Sequence, residues 1–197
     1  MGNEVRSTSQ HKAERTGFLT RFVRNRRGST AIEFAILALP FALLVFAILE
    51  SCISFAGQEV MANITDDVAR QLRTGQLRPA DVAGGKLTTL ICGRLQIIVS
   101  STDCPQQLLV DLREYPTFAD AATATFKIQG GKVVLMQGTN SQDFANTPGL
   151  AESKNMLRVF YAWPVMTDLM AKSMANLNGG RTLHFASVTW QNEPFDN

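Results

Sequence analysis

Histidine is nearly absent from the 197 residues: there are two, His11 and His184. The side chain most often used as a general base or metal ligand is therefore scarce. No Gly-x-Ser-x-Gly, no His-Glu-x-x-His and no phosphate-binding loop occurs, so the common hydrolase, zinc-peptidase and nucleotide-binding signatures are missing. No internal repeat is visible. The pairs Asp66-Asp67 and Asp111 with Glu114 offer carboxylates of the kind common on any surface. His184 falls in an expected strand and reads as a structural residue. The aromatic cluster Phe160, Tyr161 and Trp163 reads as core or interface before it reads as a ligand platform. By this census the chain is not an enzyme and calls for no cofactor.

The sequence does have a concentrated apolar run with a strongly basic tail in front of it. Through Gly28 seven Lys/Arg stand against Glu4 and Glu14, a balance of +5; the remainder carries −3, which leaves the formal net charge at +2. A basic arm can serve nucleic acid. Here an apolar stretch comes next, and that context assigns the charge to membrane orientation and away from nucleic acid. Residues 34–49 hold no charge, and eleven of the sixteen are Leu, Ile, Val or Phe. At about −0.3 to −0.6 kcal/mol for each of those, insertion is favoured by roughly 3–7 kcal/mol. If Glu50 sits at the interface the span extends over 34–56, about 34 Å of helix. The positive-inside rule then keeps the N-terminus in the cytoplasm and exports the chain beyond residue 57 or so. Three other targeting signals fit less well. Ser54-Phe55-Ala56 offers a signal-peptidase site, but behind a long polar lead. Glu50 puts a charge where a lipoprotein signal before Cys52 needs a small or apolar residue. The pair Arg26-Arg27 is expected for orientation alone.

The organisation expected is a basic cytoplasmic leader over 1–28, a transmembrane helix over 29–56 and an exported domain over 57–197. Ser29 or Thr30 can cap the helix. Val60, Ile64, Val68 and Leu72 continue a helical stripe beyond the membrane, stopped by Thr74-Gly75 and Pro79. One helix over 29–73 is expected, with a membrane half, an amphipathic half, and Pro40 inside it. Residues 81–91 read as a weaker helix, and 95–99 and 108–112 as strands. Residues 123–129 and 132–136 flank Gly130-Gly131 as a hairpin. Residues 139–150 read as loop, 156–163 as strand, 164–177 as a short helix and 181–190 as a last strand. The fold class expected is α+β: a long helix against one small sheet of four or five antiparallel strands.

Cys92 and Cys104 both fall in the part assigned outside the cytoplasm, where a disulfide persists. Closing that loop is worth very roughly 3 kcal/mol. Metal ligation is the rival reading, with only His184 to help. Cys52, at the membrane boundary, reads as a small buried apolar residue.

The most unusual local feature is the junction Arg26-Arg27-Gly28-Ser29-Thr30-Ala31-Ile32-Glu33. A carboxylate at the lip of an apolar helix is costly unless neutralised or paired. If the chain were cut after Gly28, Ser29 would carry a new α-ammonium four positions before Glu33 and give it an opposite charge. The other reading is a carboxylate favoured by the helix N-terminus and wetted by headgroups.

Arg27-Gly28-Ser29-Thr30-Ala31-Ile32-Glu33-Phe34-Ala35, continuing through Leu39-Pro40 to Leu49-Glu50, resembles the N-terminal module of the TadE/TadG-like proteins of tight-adherence (Flp-type) pilus systems. The module covers about residues 25–70. Weaker likenesses lie in Ala69-Arg70, Thr74-Gly75-Gln76, the pair Cys92 and Cys104, Tyr161-Ala162-Trp163-Pro164, and Gln191 to Phe195. The resemblance implies a pilin-like architecture and a minor pseudopilin role in pilus assembly or type II-like secretion. It implies a prepilin peptidase cutting between Gly28 and Ser29, and it makes Glu33 the glutamate five residues into the mature chain. It implies as partners that peptidase, other pilin-like and Tad assembly proteins, and inner-membrane lipid, with the C-terminal domain periplasmic. The length fits TadE better than the larger TadG, and mature major pilins are far shorter; TadF is the family's other small member. The alternative from a different class is a membrane-tethered periplasmic accessory or binding domain that never enters a fibre.

Overall fold

The computed structural model describes residues 29–195. The chain divides into two compact units, residues 1–46 and 47–197. A single 45-residue helix, Ser29–Arg73, contains Pro40 and passes from the first unit into the second. The cap expected of Ser29 or Thr30 depends on the residues before them, which lie outside the described residues.

In the first unit the described residues are helical and their apolar side chains face outward, Phe34, Leu37 and Phe41 among them. This is the one helix, among the described residues, long and apolar enough to cross a membrane.

In the second unit the same helix becomes a core element. Glu50, Ser54, Gly57, Met61, Thr65, Val68 and Leu72 are buried at intervals of three and four, which puts them on one face. Val60 and Ile64, which the apolar pattern nominates for that face, lie at its margin and are half-buried. The partner surface is a four-stranded sheet ordered β5-β1-β6-β7. It is built from β1 (Leu108–Tyr115), β5 (Asn146–Thr147), β6 (Lys154–Pro164) and β7 (Arg181–Gln191). β1, β6 and β7 pair antiparallel, and β5 runs parallel to β1. Alternation along the strands separates the two faces. Leu108, Leu112, Leu157, Val159, Trp163 and Trp190 turn to the helix with Met61, Val68 and Leu72.

The opposite face carries a second sheet, β2 (Ala124–Gln129), β3 (Lys132–Gln137) and β4 (Asn140–Gln142), ordered β2-β3-β4. Phe126 of β2 meets Phe160 edge-on at 5.1 Å and Phe185 at 4.6 Å. Between the sheets lies an ion pair: Asp111 and Arg158, directly opposite in register, are both fully buried. Arg158 Nη2 donates to Asp111 Oδ2 at 2.8 Å, and its Nη1 to the Thr125 carbonyl of β2 at 3.2 Å. Asp111 Oδ1 accepts from Arg113 and from the Ala145 N–H.

The α+β class holds, with five corrections. The sheet is two sheets of seven strands in all, because the hairpin around Gly130-Gly131 packs face-on and does not extend the larger sheet. The strand expected at 95–99 is a turn closing the Lys86–Leu95 helix: the N–H groups of Ile98 and Val99 both bond to the Leu95 carbonyl. The loop expected at 139–150 contains β4 and β5. The helix expected at 81–91 is split at Gly84-Gly85 into Pro79–Val82 and Lys86–Leu95, with Gly84 at φ +61°. The one expected at 164–177 is confined to Asp168–Met174, capped by Thr167 accepting from the Met170 N–H.

Candidate functional site

Two candidate groups of residues lie along the long helix, each within its own unit. In the first unit, Gly28 lies outside the described residues, Ser29 opens the helix, and Glu33 is exposed one turn later. A spacing of four puts the backbone nitrogen of Ser29 and the Glu33 side chain on one face. Ile32, Phe34 and Ile36 around Glu33 are half or more exposed, so the carboxylate stands in an apolar surface.

In the second unit the helix is fastened to the domain by polar contacts. Glu50, the first residue after the uncharged run, is buried against the turn that precedes the Asp168–Met174 helix. Its carboxylate accepts the N–H groups of Met166 and Thr167 and, at 2.6 Å, the Thr167 hydroxyl. One turn on, Ser54 Oγ lies 3.0 Å from His184 Nε2. The His184 ring stacks on Trp163 at 4.9 Å between centroids. Burial lowers His184 to about 4, which keeps the ring neutral near pH 7. At Gly57 the helix backbone closes on Trp163: a Cβ there would stand 2.6 Å from the indole. Gln58 then completes the outer edge of β7, donating to the Phe185 carbonyl and accepting from the Phe185 N–H. A side-chain amide so placed satisfies an edge strand as a neighbouring strand would.

Farther along, Asp67 pairs with Arg70 and with Arg94 of the Lys86–Leu95 helix. The hydrogen bond from Arg70, then that from Arg94, holds its carboxyl below the usual range. Cys92 and Cys104 are disulfide-bonded and buried, tying that helix to the start of β1. Their sulfurs are joined to one another and so are not the free thiolates that the rival metal reading requires. Cys52 is a free, exposed thiol. Asp111, expected as an ordinary surface acid, is the buried partner of Arg158.

Residues 28–70 match the model of the TadE-like protein family. This segment is TadE-like. It starts at Gly28 and takes in Glu33, Pro40 and Glu50 before stopping one turn short of the helix end at Arg73. It is under a quarter of the chain, so both sheets lie outside it. The TadE-like segment thus includes both candidate groups on the helix and none of the strands that the second group meets. No curated protein and no solved structure matches the chain.

Ser54, Gly57 and Gln58 escape sequence reasoning because none is apolar. The signal available was their spacing: 50, 54 and 57 continue toward the N-terminus the face that Met61, Thr65 and Val68 define.

Proposed function

We propose that this chain is a minor, pilin-like subunit of a tight-adherence pilus assembly or related secretion machine, with a structural and non-catalytic role. Residues 1–28 are a cytoplasmic leader, the first half of the long helix crosses the inner membrane, and the domain faces the periplasm. A prepilin peptidase cuts between Gly28 and Ser29. The new α-ammonium of Ser29 then meets Glu33, in the same helix or in a neighbouring subunit, as the helices of other pilin-like proteins pack around it.

The observation that carries this reading is the TadE-like segment beginning at Gly28 and running along a helix of two characters. Its first part presents apolar side chains outward, and its second part is folded into a domain. Such a helix can be stored in lipid and later packed among others while its domain stays folded. The cut has a consequence for Glu33: it sets a new α-ammonium one turn before a carboxylate that stands in an apolar surface.

Glu33→Gln tests the charge pair. The substitution keeps the side-chain shape, deletes the charge and makes insertion easier. Stripping one member from a buried pair commonly costs about 3–5 kcal/mol, and the lower figure is roughly a hundredfold in association. The expected outcome is normal insertion and processing with loss of co-purifying pilin-like partners and of surface pili. Normal complexes and normal piliation from fully processed Glu33→Gln protein would rule the pair out.

A further inference from the structure

The turn pinned by Glu50 carries an apolar surface that the core does not use. Met166 is 67% exposed and Leu169 57% exposed, on either side of Thr167 and Asp168. Leu49 and Ile53, on the helix beside Glu50, are exposed as well. Clustered apolar exposure at one place on a folded unit marks an interaction surface.

Its level along the helix says what covers it. Glu50 accepts from the backbone of Met166 and Thr167, so this turn is held next to the residue where the uncharged run of 34–49 ends. The domain contacts made by Glu50, Ser54 and Gln58 end the span near residue 49 and not at the expected 56, and residues 30–49 are about 20 residues, or about 30 Å of helix, the thickness of a bilayer's hydrocarbon core. Glu50 and the Met166–Leu169 turn therefore stand where the helix leaves the hydrocarbon. The short helix after the turn has the composition of an interfacial element, with Leu169 and Met170 among Asp168, Lys172 and Ser173. Elements of this kind bury their apolar side chains about 5–10 Å into the headgroup boundary.

We propose that the turn at 164–169 and the helix Asp168–Met174 form a second, interfacial membrane contact, with Met166 and Leu169 inserted into the outer leaflet of the inner membrane. Glu50, by accepting from Met166 and Thr167, holds this contact at the level of residue 50. The inference rests on the reading of the first half of the helix as a membrane span.

The full chain carrying Cys52→Ser, reconstituted at low protein-to-lipid ratio in phosphatidylethanolamine–phosphatidylglycerol vesicles, supplies the test. Single cysteines are introduced as Met166→Cys, Leu169→Cys, Leu39→Cys and Leu150→Cys, and each is labelled with a polarity-sensitive fluorophore. Leu150 is an exposed apolar residue away from the turn and reports ordinary surface. Nitroxide lipids should quench the 166 and 169 labels at least about twofold more than the 150 label, with the shallow nitroxide acting most strongly there and the deep one at 39. Labels at 166 and 169 as wet as at 150, beside a quenched label at 39, would overturn the contact and leave the span standing. An unquenched label at 39 would overturn the span and the contact with it. Labels shielded from water at 166 and 169 but unquenched by lipid would assign the surface to a second copy or another protein and overturn the lipid contact.

Discussion

Gly57→Ala sets two effects of known sign against each other. Alanine in a helix interior is favoured over glycine by about 1 kcal/mol, so propensity alone stabilises the variant. Against it stands the indole of Trp163. A Cβ at position 57 would lie 2.6 and 2.7 Å from two ring carbons, where ordinary contact begins at 3.4 Å. The ring cannot easily move the missing distance. Trp163 is buried in β6, and its ring is stacked on His184, itself in contact with Ser54 of the same helix. Overpacking a tight contact costs about 1–3 kcal/mol. The net expectation is a loss of about 1 kcal/mol, or about 3 °C in Tm for a unit of this size. Thermal unfolding of the full chain in detergent, followed by near-ultraviolet circular dichroism, reads the shift and the indole environment together. Trp163→Phe should release the clash, so the double variant should recover at least about 0.5 kcal/mol relative to additivity. A Gly57→Ala protein about 3 °C more stable than the parent, with no coupling to position 163, would show propensity acting alone. The helix would then not be seated on Trp163.

Two further expectations rest on the packing. Arg158→Met leaves the Asp111 carboxylate buried with Arg113 and one backbone N–H, and should cost about 3–5 kcal/mol in urea unfolding. Adding Asp111→Asn should return part of that, and a loss under about 1 kcal/mol would mean the pair is solvated. His184 should titrate by NMR with a midpoint near 4, against an ordinary value of 6.5. Below 6.5 the unfolded chain takes a proton that the native ring refuses, so stability is undiminished above that pH and falls as pH drops toward 4. A midpoint near 6.5 would contradict the burial of the ring against Trp163.

The long helix was legible from residue 29 to residue 73 because apolar periodicity persists through both halves and Thr74-Gly75 stops it. The hairpin was legible from Gly130-Gly131 between two β-branched runs, and β6 and β7 from their length. The destination of polar residues was not legible. Glu50 reads as a carboxylate waiting at a water interface, yet its ligands come from Met166 and Thr167, more than a hundred positions away. Asp111 looks like any acid until the register sets Arg158 opposite it. The β-branched run Ile97-Ile98-Val99 has the composition of a strand, but pairing requires a free neighbour. The disulfide from Cys92 to Cys104 closes the chain into a turn there instead. At the other end, Glu33 was recognisable because charge is rare in an apolar helix, and the proposed cut after Gly28 would set a new chain end one turn before it.

That chain end can be measured directly. Terminal-peptide mass spectrometry of the protein recovered from membranes should find a mature N-terminus at Ser29, and Gly28→Leu should block its formation by placing a bulky side chain at the scissile bond. A protein that keeps residues 1–28, that begins after Ala56, or that is processed at the normal rate with leucine at position 28 would contradict the assignment to the pilin-like subunits.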